Sequence, residues 1–131
     1  MLDTQSSAKA MNTNMDLEHA VQLQLLRTLC DAVLNGVAPD AVDSLLDQLL
    51  AYSEAHFASE ELLMRQKSYE DFEEHREDHG YMLEVLHGIA ADHAAGRAAL
   101  VAERVEDTLG FIRHHIETRD HKFALYLASG R

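Results

Sequence analysis

His56, Glu60, His75 and His79 fall within one stretch, H-F-A-S-E-E-L-L-M-R-Q-K-S-Y-E-D-F-E-E-H-R-E-D-H. Each pair is spaced four apart, and residues four apart on a helix stand one above the other on the same face. The stretch therefore reads as two helices, each presenting two ligand-type side chains, joined by a turn near Ser68. Imidazole together with carboxylate suits iron, manganese or zinc, whereas calcium and magnesium prefer oxygen ligands alone. Several buried histidines and acids without a cation would cost more than a small bundle can spare. A metal is the economical reason to place them there.

The elements that must carry these residues are helices. Pro39 is the only proline, the glycines stand mostly where helices could end, and the apolar periodicity is long with few aromatics. A first helix is predicted from about Asn14 to Asn35, stopped by Gly36, with His19, Leu23, Leu26, Cys30 and Val33 facing inward. Pro39 is a good first residue for a second helix, running to about Gln66 on a stripe of Val42, Leu45, Leu49, His56, Glu60 and Leu63. Ser68 followed by Asp71 resembles a capping box and predicts a third helix from about Tyr69. Its stripe is Phe72, His75, His79, Met82, Leu86 and Ile89, with Gly96 as the stop. A fourth runs from about Arg97 to Ala128. Connections this short favour an all-α, up-down-up-down antiparallel four-helix bundle. Residues 1–12 read as a disordered or loosely packed arm, and 13–131 as the bundle.

Counting residues from the helix ends puts His19 level with His56, and His75 and His79 opposite Glu60. In the fourth helix, His114, His115, Asp120 and His121 must be separated. At about 100° per residue, Asp120 lies within the stripe of Val105, Leu109, Ile112, Ile116, Phe123 and Leu127, and His115 lies on its flank. His114 and His121 fall toward solvent, while Arg119 turns awkwardly inward. His87 and His93 read as ordinary surface histidines. The cluster is then His19, His56, His75, His79 and His115 with Glu60 and Asp120. That is more than one ion needs, and it fits two ions about 3.5–4 Å apart with carboxylate bridges. A nitrogen-rich set carries less negative charge than the commoner Glu-rich di-iron sites of helix bundles, and favours reversible binding over oxidative attack.

At 131 residues with a formal net charge of -12, the chain is one domain and a poor partner for nucleic acid or an anionic membrane. No segment has the apolar length of a membrane span, and Met1 to Ala10 lack the apolar core of a signal peptide. A single cysteine, Cys30, reads as a buried inert thiol in a reducing, cytoplasmic compartment.

The chain resembles the hemerythrins, and more closely the bacterial hemerythrin-like domains. The resemblance is carried by M-D-L-E-H from Met15 to His19, H-F-A-S-E-E-L-L-M from His56 to Met64, and Tyr69. It continues with H-R-E-D-H from His75 to His79 and H-H-I-E-T-R-D from His114 to Asp120. The long interval from His79 to His115 is similar to that of the bacterial group. Where many members have a tryptophan shortly before the last histidine, Leu109, Phe111 and Ile112 stand here. The resemblance implies two non-haem irons with an oxo or hydroxo bridge. One would be held by His75, His79 and His115, the other by His19 and His56, with Glu60 and Asp120 bridging. It implies reversible O2 binding, end-on at the iron with fewer ligands, by a carrier, store or delivery protein and not an enzyme. Leu23, Leu26, Phe57, Ile112 and Ile116 are candidate lining residues for the O2 pocket. The alternatives are an O2 or redox sensor acting on a signalling partner, and a peroxidase or nitric-oxide-handling activity. An electron donor is an expected partner.

Overall fold

The computed structural model describes residues 4–129, with side chains at Lys9 and from residue 11 onward. Helix α1 spans Thr4–Leu34, α2 Pro39–Gln66, α3 Phe72–Ala94 and α4 Ala98–His115. A π-helical turn, Ile116–Asp120, joins α4 without a break to α5, His121–Ala128, so residues 98–128 form one rod. Each rod packs on its neighbours in sequence, and the fourth closes on α1. The fold is an all-α, up-down-up-down four-helix bundle. Among the described residues, no helix is long and apolar enough to cross a membrane.

Helix α1 begins at Thr4, not at Asn14, so the expected arm over residues 1–12 is helical from Thr4 onward, and residues 1–3 lie outside the described residues. No Gly or Pro interrupts positions 4–35, so nothing local stops the helix earlier. Met11 packs on an apolar cluster at this end of the bundle, and the side-chain amide of Asn12 donates to the carbonyl of Ala124 at 3.2 Å. These contacts dock the extension against α5.

All three inter-rod turns close the same way. In each, a residue with positive φ follows the helix, and paired backbone bonds satisfy the last carbonyls. At Gly36 the bonds are Gly36 N–H to Val33 and Val37 N–H to Ala32; at Gly96 they are Gly96 N–H to His93 and Arg97 N–H to Asp92. At the third turn the residue is Ser68, with φ 53°, bonded to Arg65 while Tyr69 bonds to Met64. Ser68 therefore closes α2 and does not cap α3, which starts three residues later than expected at Phe72 and has no side-chain cap. A left-handed serine is costly, and the contact that holds it is apolar. Tyr69 and Met64, the two residues joined by the bond that spans more of the chain, are both buried in the same cluster.

Inside the bundle, residues align in layers because antiparallel helices add and subtract the same steps of three and four. On α1 the buried series is Met15, His19, Gln22, Leu26, Leu29 and Ala32; on α2 it is Glu60, His56, Ser53, Leu49, Leu46 and Val42. On α3 it is His75, His79, Met82, Leu86, Ile89 and Asp92; on the fourth rod it is Asp120, His115, Ile112, Thr108, Val105 and Val101. Leu23, Cys30, Val33, Leu45, Leu63 and Leu109, expected on the inward stripes, are instead half-buried flank residues. The Cys30 thiol is thus half-buried; burial, then the nearby Glu106 and Asp31, pushes its pKa up. The histidines and acids divide the apolar core in two. A larger cluster around Leu26, Leu49, Leu86 and Val105 fills one side, and Met15, Met64, Tyr69, Phe123 and Leu127 fill the other.

Candidate metal centre

Two adjacent layers build the site. His19, His56, His79 and His115 occupy one, and Glu60, His75 and Asp120 share the next with Met15; all are buried. Among the described residues, two groups of side chains are close enough to hold an ion: Glu60, His75, His79, His115 and Asp120, and His19, His56 and Glu60. All seven ligand candidates are therefore brought together.

Each carboxylate divides its oxygens between the two groups. Glu60 Oε1 lies 3.2 Å from His75 Nε2 and 3.3 Å from His79 Nε2. Its Oε2 lies 3.3 Å from His19 Nε2 and 3.2 Å from His56 Nε2. Asp120 does the same: Oδ1 is 2.6 Å from His75 and 3.1 Å from His115, and Oδ2 is 3.0 Å from His19. Three imidazoles face one pair of carboxylate oxygens and two face the other. The donors also fit a cation: Glu60 Oε1, His79 Nε2 and His115 Nε2 are buried without a hydrogen-bond partner. Buried polar atoms are normally paired, and three orphans aimed into one small space are what lone pairs reserved for a metal leave behind.

The π turn explains how the fourth rod brings both of its ligand candidates, His115 and Asp120, inward. In a regular helix the stripe Val105, Thr108, Ile112, His115 would continue to position 119. The wider turn inserts one residue, so Asp120, Phe123 and Leu127 take the inward places. Arg119 is rotated out, where it pairs with Glu74 and Asp78. The awkward inward arginine of the uniform helical wheel is thereby removed.

A second tier of acids orients the imidazoles. His56 Nδ1 lies 3.3 Å from Glu18, His79 Nδ1 2.9 Å from Glu61, and His115 Nδ1 3.1 Å from Asp78. Fixing the proton on Nδ1 leaves the Nε2 lone pair directed at the site and raises its basicity. Each acid comes from the helix preceding that of the histidine it holds. Phe57 stacks on His79 at 4.2 Å between ring centroids, shielding that face. Sequence reasoning missed Glu18, Glu61 and Asp78, although each is a chain neighbour of a ligand: His19, Glu60 and His79.

The electrostatics of the chain by itself are those of a paired cluster. Burial opposes protonation of His19, but Asp120 and Glu60 outweigh it and raise its pKa to about 10; His75 is raised to about 9 by the same acids against the same burial. Burial favours neutral Glu60 and Asp120, yet the surrounding imidazoles hold both well below the usual carboxylate range. Both acids are thus held in the carboxylate form.

Two grooves reach the centre. A groove of about 370 Å³ between α1 and the fourth rod is lined by His19 and Asp120 beside Met15 and Ile116. Another of about 250 Å³ between α1 and α2 reaches His56 and Glu60. Both approach the two-imidazole side. Of the candidate pocket residues, Leu26, Phe57 and Ile112 are buried in the larger cluster, and Leu23 and Ile116 pack against it half-exposed. His114 and His121 are exposed, as the helical wheel required. His87 pairs with Glu54 at the surface, and His93 with Asp43 and the Pro39 carbonyl.

Comparison with known proteins follows the same pattern. A family model described as the hemerythrin HHE cation binding domain matches residues 10–127. A bacteriohemerythrin of Methylococcus capsulatus is 32% identical over 110 residues, covering 82% of this chain and 80% of its own length. The hemerythrin subunit alpha of Lingula anatina is 32% identical, covering 84% of this chain and 81% of its own length. A myohemerythrin of Theromyzon tessulatum is 28% identical, covering 83% and 79%. No solved structure gives a significant match. With nearly the whole bundle matched, the chain belongs to the hemerythrin family.

Proposed function

We propose that the chain binds O2 reversibly at a non-haem, carboxylate-bridged di-iron centre, as a carrier, store or delivery protein. In this reading His75, His79 and His115 hold one iron, His19 and His56 hold the other, and Glu60 and Asp120 bridge them. The observation that carries it is the division of both carboxylates between a three-imidazole and a two-imidazole group. Held by these residues, a pair of ferrous ions would supply the two electrons that O2 binding takes up and its release returns.

The protein's part is to fix and shield. Glu18, Glu61 and Asp78 hold three imidazoles in the ligating tautomer, so the donors need little reorganisation when a metal enters. Burial of all seven residues limits contact of the centre with bulk water to the two grooves. With fewer nitrogen donors, the His19 and His56 side would be the one open to a further ligand, and the two grooves lead to that side. Two carboxylates among five imidazoles limit the negative charge available to stabilise highly oxidised iron, which favours release over attack on a substrate.

Anaerobic loading with ferrous iron, followed by O2 addition and removal, tests this directly. Two irons per chain and a visible spectral change that reverses when O2 is withdrawn are expected. Tight binding of one zinc, or no uptake of an iron pair by folded protein, overturns the reading.

A further inference from the structure

The layer next to the ligands, on the side away from the carboxylates, is half polar. Its four members are Gln22 and Ser53, three residues from His19 and His56, and Met82 and Ile112, three residues from His79 and His115. Three residues amount to about 4.5 Å along a helix axis. The apolar half thus lies beneath the three-imidazole side and the polar half beneath the two-imidazole side. Gln22 is 1% exposed and Ser53 0%, and the Gln22 amide donates to Ser53 Oγ at 3.1 Å.

Packing alone does not require this pair. One turn deeper, the same helices meet through Leu26 and Leu49, both fully buried, so aliphatic side chains fit between α1 and α2. Exchanging a buried polar pair for apolar groups of similar shape is often neutral or stabilising, and the pair offers more than it uses. The amide keeps a second N–H, and Ser53, as the acceptor in their bond, keeps its O–H. Donors in a dry layer serve a ligand that brings negative charge.

From this placement we infer that Gln22 and Ser53 form a hydrogen-bonding floor for the exogenous ligand on the His19 and His56 side, and select small ligands that carry negative charge. The inference rests on the di-iron reading, because it needs an open position on that side. Gln22 is the specificity-determining residue, and Ser53 positions its amide. Neither is a metal ligand, so each can be changed with the seven donors left in place.

The test uses the full chain loaded with iron and oxidised, with azide as the probe anion. Azide affinity is read by absorbance titration, the asymmetric stretch of bound azide by infrared spectroscopy, and iron content by elemental analysis. Gln22→Leu is expected to keep two irons, weaken azide about tenfold or more, and shift the stretch. Ser53→Ala is expected to weaken azide about threefold, since it frees the amide without removing it. Unchanged affinity and stretch in Gln22→Leu with two irons bound overturns the inference and leaves the di-iron reading intact. A parent chain that takes up no iron pair overturns both. Should Gln22→Leu fail to fold, Ser53→Ala and Ser53→Val decide, and azide affinity equal to the parent's in both overturns the inference.

Discussion

At the end of the bundle closed by Gly36 and Gly96, regular α-helices meet through Leu, Ile and Val, and glycines take the left-handed turn positions. At the other end, the fourth rod contains a π turn, Ser68 occupies the left-handed position, and seven buried histidines and acids cross the core. Every departure from ideal helix or turn geometry described above lies at the ligand end. The apolar end supplies stability, at roughly 1.5–3 kcal/mol per buried aliphatic side chain, and the ligand end uses part of it to hold charges and strained backbone in place.

Register changes should separate the two kinds of helix most sharply. Deleting Glu77 from α3 brings His75 and His79 from four apart to three and rotates one half of the helix by about 100° against the other. Loss of cooperative thermal unfolding is expected. Deleting Thr118 from the π turn should instead give a regular helix whose Asp120 and Phe123 still face inward. That variant should fold, with helical circular dichroism retained, but bind fewer than two metals per chain because the Asp120 carboxylate is displaced.

Within the fourth rod, His115→Ala removes a donor that is 3% exposed and leaves Asp78 with Arg119 alone as its partner, so elemental analysis should find one metal or fewer. His114→Ala, at the neighbouring exposed position, should keep two. A reversal of that pair would displace His115 from the site. Smaller effects are expected at the supporting tier: Glu61→Gln and Asp78→Asn should each lower metal affinity by roughly 10–100-fold in competition with a chelator, with the fold intact.

The smallest effect contrasts the turns. Ser68→Gly should raise the unfolding free energy by roughly 0.5–1 kcal/mol, because glycine adopts positive φ without a Cβ clash. Gly36→Ala or Gly96→Ala, at the apolar end, should lower it by about 1 kcal/mol. Urea denaturation of the three variants would show whether Ser68 is tolerated strain.

Legibility in the sequence followed the same division. Four-residue spacing singled out His56, Glu60, His75 and His79, and Pro39 at one end with the turn read near Ser68 at the other placed α2 at its observed limits. On α1, His19 and Leu26 were read correctly as inward, but Leu23, Cys30 and Val33 were each chosen one position past the buried Gln22, Leu29 and Ala32, because Leu23 and Cys30 look more suited to a core than Gln22 does. A buried glutamine becomes legible only when Ser53 is known to lie opposite. The π turn is invisible to a wheel of fixed pitch; its trace was the conflict between Asp120 and Arg119. Glu18, Glu61 and Asp78 stayed hidden because each acts across a helix boundary, and spacing along one helix says nothing about such pairs.

That handover from rod to rod, α1 to α2, α2 to α3 and α3 to the fourth, means that no helical hairpin owns the three-imidazole group, which draws Glu60 from α2, His75 and His79 from α3, and His115 and Asp120 from the fourth rod. A fragment holding any two rods would carry imidazoles whose tautomers nothing sets, or acids with nothing to steady. Ion uptake by this chain thus gauges whether all four rods have met in register, and a metal titration on a mutant would report its tertiary order as directly as its coordination chemistry.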